Sequence, residues 1–211
     1  MHKIVERILL CSIFFAIFLC GCTSLAPNVN SATDLQGRKI LAGRFVFYDN
    51  DELVKADSHR SEVRFYQQGE NKEIKKFSPD EQGYVYVAVT EGLYVICDIF
   101  YIPFGGGLQF VLDPMPAIYV NANDTVVNFG TIEIRYYQTT GGRIIYTFGF
   151  PSRVQYGIRY IRDWYITKPE IVSRAGFAGP VRDVEIYQLP RRFKRSTIQE
   201  VKYLLHIDEI L

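Results

Sequence analysis

From Arg38 the pattern of side chains turns to a period of two, the repeat of a strand. Phe45 and Phe47 alternate with Val46 and Tyr48 before Asp49-Asn50-Asp51, and Val63 and Phe65 alternate with Glu62, Arg64 and Tyr66. After Ser78-Pro79-Asp80-Glu81-Gln82-Gly83, the run Tyr84–Thr90 sets Val85, Val87 and Val89 on one face, and Glu91-Gly92 turns into a strand from Leu93 to Ile102. Further strands are expected at Ala117–Val120, Thr131–Tyr137 and Arg143–Phe148, the last two joined by Gln138–Gly142. Successive strand residues point to opposite faces, so such runs bury one side and wet the other. Short alternating runs punctuated by Gly, Pro, Asn and Asp predict a mainly β fold, an antiparallel β-sandwich. A parallel α/β fold would need long helices between the strands, and the pattern offers none. The 15 Tyr and 15 Phe support sheet, because aromatic side chains suit a pleated, half-buried surface.

Two short helices are expected late in the chain. Pro169 fits the first turn of a helix over Lys168–Ala175, with Gly176 ending it. Ser196 with Gln199, or Thr197 with Glu200, would cap a C-terminal helix carrying Ile198, Val201, Leu204 and Leu205 on one face.

The first 22 residues follow a different logic. Lys3 and Arg7 precede an apolar run, Ile8–Gly21, that ends in Leu19-Cys20-Gly21-Cys22. Its 14 residues match the core of a signal peptide and fall short of the roughly 20 needed to span a bilayer as a helix. The segment resembles the lipobox of bacterial lipoproteins, in which Leu stands three places before the cysteine and a small residue directly before it. Leu19, Gly21 and Cys22 match, while Cys20 stands where Ala or Ser is more usual. The resemblance implies a signal peptide over residues 1–21, cleavage before Cys22, and fatty chains such as palmitate on that cysteine. Several chains hold a protein to a bilayer far more firmly than one. Thr23 stands where Asp would favour inner-membrane retention, which implies the outer membrane. The alternatives are a secretory signal cut elsewhere and an uncleaved anchor.

Cys11 and Cys20 would leave with the signal peptide and Cys22 would carry lipid, so Cys97 is the one remaining thiol and no internal disulfide is expected. Residues 22–36 read as the lipidated N-terminus and a flexible tether. The 14 residues Thr23–Gln36 reach about 45 Å fully extended, enough to hold the folded part clear of the bilayer. Residues 37–137 read as the sandwich, and residues 138–211 as a β-rich extension ending in a short helix. Gly37–Gly43, Phe77–Tyr84, Thr90–Tyr94 and Phe129–Ile132 are similar to segments of the transthyretin-like, carboxypeptidase-regulatory-type β-sandwich. In that family an Asp-x-x-Gly-Tyr turn precedes a strand ending in Gly-x-Tyr. The resemblance implies an accessory or interaction module without catalytic residues.

Side chains suited to chemistry are few. His59 and His206 are the histidines beyond the leader. Ser58 adjoins His59, but sequence neighbours do not make the spatial triad of nucleophilic catalysis. Asp49–Glu52 lacks the order of a Ca²⁺ loop. Gly105-Gly106-Gly107 leads into Leu108-Gln-Phe-Val-Leu, a strand, rather than into a phosphate-binding helix. No catalytic residue, cofactor or metal site is therefore expected. Asp98 and Asp163 are the carboxylates to which a wall-polymer or glycan hydrolase, the alternative reading, would turn.

Net charge is +1, but it is unevenly placed. Gly37–Gly142 has 10 basic and 14 acidic side chains, net −4, whereas Arg143–Lys202 has 12 and 5, net +7. That asymmetry points either to an anionic surface or partner facing the later half or to an ordinary solvated face. Within the later half, Arg153, Tyr156, Arg159, Tyr160, Arg162 and Trp164 interleave aromatic and guanidinium groups and form the candidate face for a ligand or partner. Export argues against nucleic acid and for a glycan, an anionic headgroup or an envelope protein; the plain alternative is a core strand with snorkelling arginines. Together these features predict a lipid-anchored binding or structural component of the outer membrane or periplasm, its lipid contact made through the acylated Cys22.

Overall fold

The computed structural model describes residues 37–55, 61–69, 75–101, 108–147, 150–175 and 179–207. They form a mainly β fold of two six-stranded sheets packed face to face, with two α-helices outside them. The first sheet holds β1 (Lys39–Asp49), β2 (Glu52–Val54), β5 (Tyr84–Val89), β9 (Val126–Thr147), β10 (Phe150–Ile161) and β11 (Val181–Asp183). The second holds β3 (Ser61–Gln67), β4 (Lys75–Phe77), β6 (Gly92–Tyr101), β7 (Leu108–Val111), β8 (Met115–Val120) and β12 (Tyr187–Leu189). Most pairs are antiparallel, but β9 runs parallel to both β1 and β11. Strand β9 continues through residues 137 and 138, and the residues after it add β10 and β11 to one sheet and β12 to the other.

The alternation read from the sequence sorts the core. Leu41, Phe45 and Phe47 of β1, Val85 and Val87 of β5, and Ile132, Ile134 and Tyr136 of β9 turn towards the second sheet and are buried. Aromatic contacts join the layers: Phe47 stacks on Tyr101 at 5.0 Å, and Phe110 meets Tyr136 at 5.5 Å and Tyr156 at 5.2 Å. One crossing needs a glycine. A Cβ on Gly43 would lie 2.2 Å from the ring of Phe129. Opposite Gly43, β9 inserts an extra residue, because Ala42 pairs with Asn128 and Arg44 with Thr131. Gly130 takes the bulge at φ +75°, a backbone state that costs glycine little.

Helix α1 (Trp164–Ala175) lies on the outer face of the first sheet, where Ile171 joins Ile40, Ala42, Tyr84, Tyr86 and Val126 in a second apolar cluster. Helix α2 (Ile198–Leu204) follows a 3₁₀ turn at Arg191–Arg195 and packs Val201 against the main core. No helix among the described residues is long and apolar enough to cross a membrane.

Several local expectations need correction. The turn expected at Gln138–Gly142 is strand: β9 runs to Thr147, and its ladder with β10 passes from Gln138↔Val154 to Ile144↔Arg153. Residues 139–143 are thus left out of register, an irregularity in the ladder rather than a reversal between two strands. Helix α1 begins at Trp164, not Lys168, because the Asp163 carbonyl already accepts from the backbone N–H of Ile166 at 2.8 Å and of Thr167 at 3.1 Å. Pro169 therefore sits inside the helix, where its missing N–H forfeits a bond to the carbonyl of Tyr165. In α2 the cap is Thr197 with Glu200, both arms of the capping box being present. Leu204 does not join Val201 on the buried face; it is exposed, while Ile198 and Leu205 are partly buried.

Candidate functional site

Strand β10 ends the first sheet and is half-exposed, and its side chains alternate between the core and solvent. Tyr156, Ile158 and Tyr160 turn inward and pack on the core, while Gln155 and Arg159 stay exposed. Two of the inward groups tie the sheets together. The Tyr156 hydroxyl donates to the Val111 carbonyl at 2.8 Å, and the Tyr160 hydroxyl donates to that of Pro114 at 3.3 Å. Burial pushes the Tyr160 phenol up to about 12. Beside this edge runs a groove of about 830 Å³, bounded by β10, by Val111, Asp113 and Pro114, and by Val184, Ile186 and Gln188. Phe129 and Ile158 lie among its lining residues. Its volume falls in the range of small-ligand sites.

The six residues of the sequence face do not share one surface. Tyr156 and Tyr160 point between the sheets, and Arg159 points outward to Glu133 at 3.5 Å. Arg162 follows the strand and pairs with Glu185 at 2.9 Å, both being well exposed. Trp164 opens α1, and its indole N–H is buried without a partner. The backbone of Arg153 lies in β10 opposite Ile144; its side chain is outside the described residues. Tyr156, Arg159, Tyr160 and Arg162 all line the groove, so four of the six do meet there.

At the foot of α1 a buried polar network fastens the helix to β9 and β11. Asn128 donates to Thr167 at 3.0 Å and to Asp183 at 2.9 Å, and accepts from the Gly130 N–H at 3.0 Å. Thr131 donates to Asp163 at 2.7 Å, and Lys168 donates to Asp183 at 3.0 Å. Buried polar groups need such partners, and here they orient a helix. Asp163, one of the two carboxylates considered for hydrolysis, is therefore part of a helix start. Asp98, the other, belongs to β6 in the second sheet and meets Arg191 at 3.4 Å. Neither lines the groove.

Cys97 is fully buried in β6. Burial, followed by the charge of Asp98, pushes its thiol up to about 11, which keeps it protonated and unreactive at neutral pH. Asn50 and Asp51, both at positive φ, form the turn between β1 and β2. There the Asp51 carboxylate accepts from the Tyr137 hydroxyl at 2.7 Å and from Arg135 at 2.9 Å, which hold it below the ordinary carboxylate range. Ser58, His59, Gly105–Gly107 and Cys22 lie outside the described residues.

Sequence reasoning missed the groove, because Val111, Val184 and Ile186 come from segments far from β10 in the chain. A faint signal was present in the spacing of Val184, Ile186 and Gln188, which alternate along one wall. No protein-family model and no curated protein matches the sequence. Two solved structures are similar to it: catechol 1,2-dioxygenase from Acinetobacter sp. ADP1 inhibited by bound mercury, at TM-score 0.28 and 11% identity, and catechol 1,2-dioxygenase from Pseudomonas arvilla C-1, at 0.26 and 8%. Each match covers 79% of this chain, which spans 59% of the length of each enzyme, and likeness at that level carries no argument about fold or activity.

Proposed function

We propose that this chain is a lipid-anchored envelope lipoprotein, cut before Cys22, that serves the outer membrane or periplasm as a non-enzymatic binding or structural component. The observation that carries the reading is Leu19-Cys20-Gly21-Cys22 at the end of the apolar run Ile8–Gly21. A small residue beside the scissile bond suits a peptidase working on extended backbone, and a thiol supplies the sulfur that a diacylglycerol thioether requires. The groove beside β10 supports the binding half of the proposal, since its surface is more polar than apolar, with Gln155, Arg159 and Arg162 lining it beside Tyr156 and Ile158. A protein segment or glycan from the envelope is the partner this chemistry fits.

Mass spectrometry of the natural product tests the anchor. The expected mature N-terminus is Cys22 bearing acyl chains, and Cys22→Ser should release the protein from membranes into the soluble fraction. A free thiol at position 22, or a mature start elsewhere, would overturn the reading.

A further inference from the structure

Helix α1 turns apolar side chains to water as well as to the sheet. A helix lying on a sheet ordinarily turns apolar residues inward and polar ones to water. Here Thr167 is fully buried beside Ile171, while Tyr165 is 79% exposed, Ile166 48% and Val172 42%. Pro169 is exposed between them. Spacings of three and four residues link Tyr165, Ile166 and Val172 each to Pro169, along one side of the helix. Six large hydrophobic side chains are exposed among the described residues, and three of them belong to this helix. The polar network below fixes its orientation, with Asn128 bonded to Thr167 and Asp183 to Lys168, so α1 cannot roll its apolar side inward without breaking buried hydrogen bonds.

We infer that the exposed face of α1 is where the folded domain rests on the lipid surface to which the chain is anchored. This rests on the lipoprotein reading above. One further observation selects a membrane as the occupant, namely where the described chain begins. Gly37 leads within three residues to Ile40, which shares an apolar cluster with Ile171 of α1, so the described chain begins close to that helix, at the end of the segment that the lipid anchor would carry. That segment's reach of about 45 Å permits contact with the bilayer as readily as clearance from it, and the apolar face decides between the two. Tyrosine with aliphatic side chains on an exposed helix face is a composition suited to the headgroup boundary of a membrane.

The acylated full-length protein tests this on vesicles of phosphatidylethanolamine and phosphatidylglycerol. Tyr165→Cys introduces an exposed thiol for an environment-sensitive fluorophore, and Cys97, fully buried, does not compete for the label. Tyr203→Cys on α2, at a site 83% exposed, is the control. Phospholipid carrying a nitroxide near its headgroup is expected to quench the label at 165 several-fold more than the label at 203. The exposed pair Ile166→Ser and Val172→Ser should reduce the quenching to the control level while the acyl chains keep the protein on the vesicles. Equal quenching at 165 and 203 in acylated, vesicle-bound protein would overturn this inference alone. Protection at 165 that grows with protein density and needs no lipid would assign the face to a second copy and overturn it too. An unacylated Cys22 in the mass spectrum would instead remove the lipoprotein reading, and this inference with it.

Discussion

Strands β6 and β10 are of similar length, yet one is a core and the other a border. Nearly every residue of β6 is buried, from Leu93 to Ile99 without interruption. It lies between β3 and β8, and the C-terminal segment reaches over it when Arg191 bonds the Cys97 carbonyl at 3.3 Å and Asp98 at 3.4 Å. Among the described residues, strand β10 has a neighbour on one edge only, and from residue 155 to 160 exposed and half-buried side chains alternate. Composition and order agree on how deep each strand lies: seven of ten residues in β6 are aliphatic or aromatic against six of twelve in β10. Leu-Tyr-Val-Ile-Cys is a continuous apolar run suited to two covered faces, whereas Gln-Tyr-Gly-Ile-Arg-Tyr suits one.

The sharpest way to break this comparison is to remove the same atoms from each strand. Ile96→Ala on β6 should cost about 3–4 kcal/mol, since a fully buried isoleucine leaves a cavity that cannot refill. Ile158→Ala on β10 should cost no more than about 2 kcal/mol, because its half-buried site loses less packing and lets water in. Urea unfolding of the two variants reads the difference directly. Equal losses would mean that the open edge is as closely packed as the centre.

The strands also differ in alkali. In β6 the folded Cys97 holds its proton to about pH 11, against 9.0 for a thiol in water. A raised folded pKa means that its contribution is complete below the unfolded value and is lost as pH climbs through the folded one. Stability should therefore fall by about 2–3 kcal/mol between about pH 9 and 11 on account of this thiol. Cys97→Ala should remove that part of the slope whatever it does to stability at neutral pH. On β10 the matching group is Tyr160, pushed up to about 12 from 10.0 by burial, so its loss should begin a unit higher. Denaturation midpoints followed across this range in Cys97→Ala and Tyr160→Phe would show whether the central strand gives way first.

A smaller effect is expected at the cover of β6. Thr197 accepts from the Glu200 N–H at 3.2 Å, and the Glu200 carboxylate accepts from the Thr197 N–H at 2.7 Å. Thr197→Ala should cost about 1 kcal/mol. Faster hydrogen exchange confined to α2, with β6 still protected, would show that the strand does not depend on its cap; exchange in both would show that helix and strand open together.

These differences also mark what the sequence could and could not reveal. Period-two runs around Phe45, Val63, Val85 and Tyr156 specify strands because alternation is local. The capping pair Thr197 and Glu200 is legible for the same reason. The parallel register of β1 with β9 is not, since it depends on a return through the whole second sheet. Neither is the groove, whose walls meet only after β12 has docked on β8. Helix α1 was half hidden: Pro169 marks a first turn in ordinary helices, but here the start is set by Asp163 and Thr131, which are 32 residues apart. The exposed side of that helix could not be read either, because Tyr165, Ile166 and Ile171 look alike until the fold turns one of them inward.

The smallest effect belongs to the border itself. Arg162 and Glu185 meet at 2.9 Å across the end of the groove, with side-chain exposures of 66% and 61%. Two long side chains held together in water gain little, because solvent screens the attraction and ordering them costs entropy. Arg162→Ala should therefore change stability by no more than about 0.5 kcal/mol, and that change should vanish as salt is raised beyond about 0.5 M. Its value lies in what it separates. If Arg162 contributes to binding at the groove, the variant should weaken retention of an envelope partner while its urea midpoint stays in place. A midpoint that falls with retention would make the pair part of the border's structure, and β10 would then resemble β6 more than its exposure suggests.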